Sequence, residues 1–287
     1  MDTVIADLPA DKTLYVVSDL HMGDGSQKDN FAEYRGRFED FLRTVVDKDP
    51  SARLILAGDV FEFWQSEHGD IVKCYLDLLR DLFRREPVFI VGNHDIDLFG
   101  FIGLKLDLSL VRLLVKDLTI ERGSSRIRIC HGYEFDRFND PKKALILGRI
   151  SAILAGWVEE KVGTKVGQET TETLLEQLAK GIMAFGMRWY RNHFNKTSGE
   201  KVESGKKIDE VQEALDTFHA ENPGLHVVAG HTHQAGRYGD WYVNSGAWQG
   251  DQANYVKITL DGSISLHKWP GQEEVELQLW RQAATGA

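Results

Sequence analysis

Five short apolar runs, each of strand length and each ending on a residue able to bind a metal, constrain this 287-residue chain more than any other feature. Leu14-Tyr15-Val16-Val17-Ser18 leads into Asp19-Leu20-His21, and Arg53-Leu54-Ile55-Leu56-Ala57 passes through Gly58 to Asp59. Val88-Phe89-Ile90-Val91 precedes Gly92-Asn93-His94-Asp95, and Arg126-Ile127-Arg128-Ile129-Cys130 precedes His131-Gly132. The fifth run, His226-Val227-Val228-Ala229, opens onto Gly230-His231-Thr232-His233. Near-continuous apolar runs suit strands buried on both faces, and a glycine directly after a strand permits a tight turn.

Helical periodicity fills the gaps between the first three runs. Phe31, Tyr34, Phe38, Phe41, Leu42 and Val45 form one stripe, with Asn30 and Glu33 as its start signal. Ile71, Tyr75, Leu78, Leu79 and Leu82 form another. Strands alternating with helices predict right-handed crossovers and a largely parallel sheet. The crevice of such a sheet lies beyond the carboxyl ends of its strands, where all five polar groups fall. Residues distant in sequence can therefore share one site.

The interval from His131 to His231 is too long for one crossover. Leu145, Ile146, Ile150, Ile153, Leu154 and Trp157 predict one helix in it, and Leu174, Leu175, Leu178, Ile182, Phe185 and Trp189 a longer one. A polar, lysine-rich loop and a shorter helix carrying Ile208, Val211, Leu215 and Phe218 complete the insertion. Residues 137–225 therefore read as a helical cap inserted into a core made of residues 1–136 and 226–287. Tyr255 to Leu260 and Ser263 to Trp269, flanking Asp261-Gly262, predict a β-hairpin.

Composition narrows the function. The 44 acidic and 34 basic residues leave a net charge of −10, which disfavours non-specific binding to nucleic acid. Two cysteines, Cys74 and Cys130, are too few for a disulfide framework or a thiolate zinc site. The first residues lack the basic and apolar regions of a secretion signal, so a cytoplasmic location is expected. From Arg188 to Lys207, six lysines and arginines against two glutamates make a basic patch on the cap. With the cap residues Trp157, Met183, Phe185, Met187, Trp189, Tyr190 and Phe194, that patch is compatible with an acyl groove or peripheral contact with the inner membrane face. A solvated loop and ordinary core aromatics explain the same residues. Oligomeric state is left open.

Asp19, His21, Asp59, Asn93, His131, His231 and His233 offer carboxylate, amide oxygen and imidazole ligands, a mixture that suits Mn, Fe or Zn better than Mg. Two such cations would offset the two aspartates and leave a site attractive to a phosphate anion. The Gly-x-Ser-x-Gly, His-Glu-x-x-His and phosphate-loop patterns of other hydrolases are missing from the sequence.

In order and type, the five blocks resemble those of the calcineurin-like metallophosphoesterase superfamily. The resemblance implies an α/β fold, an αββα sandwich of two mixed β-sheets flanked by helices, with the inserted helical cap. It implies two divalent metal ions, Mn being the first expectation. Asp19, His21, Asp59 and His233 would hold one, and Asp59, Asn93, His131 and His231 the other, with a metal-bridging hydroxide attacking phosphorus. His94 would touch the phosphoryl group and protonate or stabilise the leaving oxygen, and Asp95 would orient His94. Ser18-Asp19-Leu20-His21-Met22-Gly23 and Gly58-Asp59-Val60-Phe61-Glu62-Phe63-Trp64 look most like the UDP-2,3-diacylglucosamine diphosphatase branch. That branch carries arginine where this chain has His94.

The expected activity is hydrolysis of a phosphoester or pyrophosphate bond in a phosphate-containing small molecule or lipid-linked nucleotide. A general phosphodiesterase, a nucleotide phosphatase or a protein phosphatase would use the same centre. A metal-free binding scaffold would lack several ligands, and none is missing.

Overall fold

Side chains of a β-strand point alternately to its two faces, so a strand buried on both faces serves two packing layers at once. That pattern builds the computed structural model, which describes residues 11–27, 29–101, 114–136, 203–271 and 274–277. Two units divide the chain, Met1–Phe135 with Thr217–Ala287, and Asp136–Asp216. Both sheets belong to the first.

The larger sheet contains β1 (Thr13–Val17), β2 (Ala52–Ala57), β3 (Val88–Ile90), β4 (Leu114–Val115), β10 (Asn254–Ile258) and β11 (Ile264–Lys268), in the order β11-β10-β1-β2-β3-β4. β1 to β4 run parallel and β10 and β11 antiparallel. The smaller sheet contains β5 (Leu118–Arg122), β6 (Ser125–Ile129), β7 (Leu225–Ala229), β8 (Gly236–Tyr238) and β9 (Tyr242–Asn244), in the order β5-β6-β7-β9-β8. Within it β6, β7 and β9 are parallel, while β5 and β8 are antiparallel to their neighbours.

One face of each sheet contributes to a single apolar core. Leu14, Val16, Ile55, Ala57, Val88 and Ile90 of the larger sheet cluster with Ile127, Ile129, Val228 and Val243 of the smaller. The opposite face of the larger sheet meets helices. α1 (Arg35–Phe41) passes into a π-helical turn at Leu42–Val46, and Phe41 packs 4.9 Å from Tyr255 and 5.1 Å from Trp248, centroid to centroid. α2 (His68–Arg84) buries Ile71, Tyr75, Leu78, Leu79 and Leu82, the stripe read from the sequence. The fold is therefore α/β with two mixed sheets, and its parallel strands all end on one edge.

Three local expectations need correction. α1 starts at Arg35 rather than after Asn30, because Asp29 Oδ1 accepts the N–H groups of Phe31 (3.0 Å) and Ala32 (3.2 Å) and holds that stretch as turns. β4, β5, β8 and β9 carry no long apolar run and were not foreseen. The helix expected to be short is α3 (Glu203–Glu221), of 19 residues. The other cap helices, the cap aromatics and most of the basic patch lie outside the described residues. No helix among the described residues is long and apolar enough to cross a membrane.

Candidate metal centre

All five ligand segments follow the carboxyl end of a parallel strand, and they are knitted together by backbone hydrogen bonds. Asp19 N donates to Gly58 O (3.1 Å), His21 N to Asp59 O (2.9 Å) and Gly230 N to His131 O (2.7 Å). The segments also need unusual backbone: Asp19, His21, Asp59, His231 and His233 adopt positive φ, from 50° to 72°. Such a conformation costs a residue other than glycine about 1 kcal/mol or more, and it persists only where the surroundings over-determine it. Close approach sets a second demand. A Cβ on Gly92 would overlap Asp59 Oδ1, and one on Gly230 would overlap Ser18 Oγ and Asp19 Oδ2.

The seven side chains singled out as ligands converge. His233 Nε2 lies 3.2 Å from Asp19 Oδ1 and 3.1 Å from His21 Nε2, and His21 Nε2 lies 3.8 Å from both Asp19 Oδ1 and Asp59 Oδ2. On the other side of Asp59, His131 Nε2 is 3.1 Å from Asp59 Oδ2 and 3.1 Å from Asn93 Oδ1, which is 3.0 Å from His231 Nδ1. Asp19 with His21 and His233, and Asp59 with His131 and His231, each form a trio able to hold a cation.

Hydrogen-bond bookkeeping tests whether cations fit. His131 Nδ1 faces the carbonyl of Ala57 at 2.8 Å, so it bears the hydrogen and Nε2 directs a lone pair at Asp59 and Asn93 oxygens. His21 Nδ1 likewise faces Glu62 Oε2 at 3.0 Å, leaving its Nε2 lone pair toward Asp19, Asp59 and His233. Asp19 Oδ1 is buried and makes no hydrogen bond. Lone pairs pointing at lone pairs require a proton or a cation between them, so the donor set fits two metal ions.

Without metal, protons take that place. Burial disfavours charge on His131 and His21, yet Asp59 beside the first, and Asp19 and Glu62 beside the second, override it and raise each imidazole to about 10. Burial would likewise raise Asp19 and Asp59. Positive charge on His233 and on His131, respectively, holds each carboxyl well below its usual range.

His94 is placed differently. Its Nδ1 lies 2.8 Å from the Glu62 carboxylate, its ring stacks on Trp64 at 4.0 Å, and its edge meets His21 at 4.7 Å. With Nδ1 so engaged, Nε2 is the atom left for a ligand. Asp95, expected to orient His94, does something else. Its Oδ1 accepts Gly92 N–H at 2.6 Å and its Oδ2 accepts Val60 N–H at 2.8 Å, so it staples the loops after β2 and β3. Burial, reinforced by Asp59, pushes its carboxyl up to about 7. The orienting group is Glu62, which bridges His21 and His94 and is held at about 2, both histidines outweighing burial. The carboxylate charge around the site is therefore larger than two aspartates supply.

In the loop before α1, Asp24 accepts Ser26 N–H at 2.9 Å and Asp29 also accepts the Tyr75 hydroxyl at 2.5 Å, so both shape turns. Cys130 is buried, and burial pushes its thiol well above its usual value, as expected of a packing residue.

The calcineurin-like phosphoesterase family model matches residues 12–235, a span that contains all seven ligand candidates and His94. The chain belongs to the calcineurin-like phosphoesterase family. As a member, it is a metal-dependent phosphoester hydrolase; the family is dinuclear, and this chain has His and Asp groups able to bind metal. No curated protein matches the sequence. Among solved structures, it is similar to a predicted phosphoesterase from Streptococcus pneumoniae TIGR4, with 14% identity, a TM-score of 0.35 and coverage of 91% of this chain and 94% of that one. Vacuolar Protein Sorting 29 from Cryptosporidium parvum aligns with 11% identity, a TM-score of 0.40 and coverage of 91% and 93%. A 5'-nucleotidase from Candida albicans SC5314 aligns with 11% identity, a TM-score of 0.33 and coverage of 94% and 52%.

Proposed function

We propose that Asp19, His21, Asp59 and His233 hold one divalent cation, and Asp59, Asn93, His131 and His231 a second, in an enzyme that hydrolyses a phosphoester or pyrophosphate bond. The observation carrying this reading is that three trios able to hold a cation adjoin, Asp19-His21-His233, His21-Asp59-His94 and Asp59-His131-His231, with the buried Asp59 carboxylate common to the last two. When bound, the cations supply Lewis acidity toward phosphoryl oxygens and activation of water. The chain's own residues do the rest. Asp59 lies between the two sets, the Nδ1–H groups of His21 and His131 are fixed by Glu62 and Ala57, and the fixed rings aim Nε2 inward. His94 donates Nδ1–H to Glu62 and keeps Nε2 for the phosphoryl group or the leaving oxygen.

For substrate, the segments Ser18 to Gly23 and Gly58 to Trp64 favour a UDP-2,3-diacylglucosamine diphosphatase-like enzyme of lipid metabolism. His94, in place of that branch's arginine, favours the second reading, a phosphodiesterase or nucleotide phosphatase indifferent to acyl chains. A cytoplasmic enzyme whose cap rests on the inner membrane face fits the first. The test is metal content together with Mn-supported hydrolysis of a phosphomonoester, a bis-aryl phosphodiester, a UDP-sugar and its diacylated form. Selective cleavage of the diacylated compound supports the lipid reading, and equal turnover of the simple esters refutes it. Failure on every substrate by protein loaded with Mn refutes the hydrolase assignment itself. His94→Ala is expected to bind metal normally and turn over about two to four powers of ten more slowly.

A further inference from the structure

Asp19 is a buried carboxylate whose two oxygens are treated very differently. Oδ2 accepts the Ser18 hydroxyl in a short bond and His231 N–H at 3.0 Å, while Oδ1 has no hydrogen bond and faces His233 Nε2 at 3.2 Å. The carboxylate is thus turned so that one oxygen is spent on the protein and the other is presented to the histidines.

What sets that orientation comes from a segment outside the five ligand blocks. β9 runs parallel to β7, so its carboxyl end, Asn244-Ser245-Gly246, emerges on the same edge as Gly230-His231. Ser245 Oγ lies 2.8 Å from Ser18 Oγ and 3.1 Å from Ala229 O, and that carbonyl already accepts Ser245 N–H at 2.7 Å. Ser18 has one hydroxyl hydrogen, and the carboxylate is its strongest acceptor. Ser18 Oγ can then only accept from Ser245, whose one hydroxyl hydrogen is shared between Ser18 Oγ at 2.8 Å and Ala229 O at 3.1 Å, giving a directed chain from Ser245 to Ser18 to Asp19 Oδ2. Asn244 anchors the donor end. It is fully buried, its Nδ2 donates to Gly230 O at 2.6 Å, and its Oδ1 accepts Gly246 N–H at 2.9 Å.

We propose that Ser245 is a positioning residue for the metal centre, acting through the Ser18 hydroxyl to fix the Asp19 carboxylate with Oδ1 toward His21 and His233. The chain joins the carboxyl ends of the two sheets, Ser18 following β1 and Ser245 following β9. It rests on the reading of Asp19 as a metal ligand. Loss of the Ser245 hydroxyl removes the donor that fixes the Ser18 rotamer, so the Ser18 hydroxyl samples Gly246 O, 3.1 Å away, as well as Asp19 Oδ2 and holds the carboxylate less tightly.

The experiment titrates the metal-stripped full chain with Mn2+ and reads stoichiometry, dissociation constants and the melting temperature without metal. Wild type, Ser245→Ala, Ser18→Ala, the double variant, Asp19→Asn and Tyr15→Phe are compared. Tyr15 gives its hydroxyl to Asp49 on another part of the larger sheet, so its variant reports a purely structural loss. Ser245→Ala and Ser18→Ala are each expected to weaken one Mn2+ by about ten- to a hundredfold, the usual effect of removing a group that orients a ligand. The double variant should be no worse than the stronger single one, because both hydroxyls act in one chain. Tyr15→Phe should lower the melting temperature and leave both dissociation constants alone. Wild-type Mn2+ affinity in Ser245→Ala, or full additivity in the double variant, overturns the proposal while leaving the metal assignment standing. Wild-type stoichiometry and affinity in Asp19→Asn removes Asp19 from the ligand set and the proposal with it.

Discussion

Glu62→Gln is the most informative single change, because it keeps the volume of the side chain and removes the acceptor shared by two histidines. The carboxylate meets His21 Nδ1 at 3.0 Å and His94 Nδ1 at 2.8 Å. A glutamine amide has one acceptor oxygen, and its NH2 group can only donate. One of the two rings must then either lose its partner or present a bare Nδ1, which moves its hydrogen to Nε2. On His21 that occupies the atom proposed to bind metal. On His94 it removes the acceptor that holds the ring in place. A hydrogen bond to a charged group is worth about 1.5–3 kcal/mol. At about 1.4 kcal/mol per decade this predicts a loss of about ten- to 150-fold in kcat at saturating Mn2+. Loss at His21 adds a weaker Mn2+ affinity, separable by titration. The assay is a series of phosphate esters with leaving groups of increasing basicity. A poor leaving group needs the proton from His94 and should suffer most, whereas a nitrophenolate needs little help. Wild-type rates on poor leaving groups at saturating Mn2+ would refute the assignment of Glu62 as the group that orients His94.

Asp59→Asn should leave fewer than one tightly bound metal per chain by elemental analysis, because Asp59, which faces both His21 and His131, is the proposed ligand of both cations. Loading metal at pH 7.5 should release about two protons, since His21 and His131 stay protonated to about 10 in the metal-free protein, and calorimetry in buffers of different ionisation enthalpy reads the number directly. Both imidazoles are raised above the ordinary value of about 6.5, so their contribution to metal-free stability is complete below about pH 6.5 and lost as pH rises toward 10. Denaturant midpoints across that window should fall for metal-stripped protein and change less for loaded protein. Gly230→Ala should cost about 1–3 kcal/mol of unfolding free energy through overlap with Ser18 and Asp19, and an unchanged thermal melt would show that the loop can shift.

What could be read from the sequence and what could not divide along a physical line. A strand buried on both faces must be apolar throughout, so β1, β2, β3 and β7 announce themselves, whereas β6 buries only Ile127 and Ile129 and alternates with Arg126 and Arg128; the polar residue after each is visible by contrast. β8 and β9 have three residues each, too short for such a signal, although Trp241-Tyr242-Val243 leading into Asn244-Ser245-Gly246 repeats the pattern of an apolar run that ends in polar groups. That repetition was the available clue to Ser245. Asp95 shows the opposite error. The family resemblance implied that it would orient His94, yet consecutive residues of a turn project in different directions, and its oxygens meet the backbone of Gly92 and Val60.

Glu62 shows why second contacts are harder to read than ligands. A ligand is recognisable by its own chemistry, whereas a residue that orients a ligand is defined by where the chain folds back. Glu62 is three positions beyond Asp59 in sequence, but its partners His21 and His94 come from the ends of β1 and β3. Those loops meet only because strands on either side of β2 are parallel to it and end together. The positive φ values of Asp19, His21, Asp59, His231 and His233 belong to the same class of fact. Aspartate and histidine enter the left-handed region more readily than most side chains, but propensity alone does not place five of them there. The conformation is imposed by the hydrogen bonds between loops and made possible by missing side chains at Gly92 and Gly230. Strain of this kind is stable only while the sheets hold the loops together. The core shared by the two sheets is thus also what holds the seven candidate ligands together.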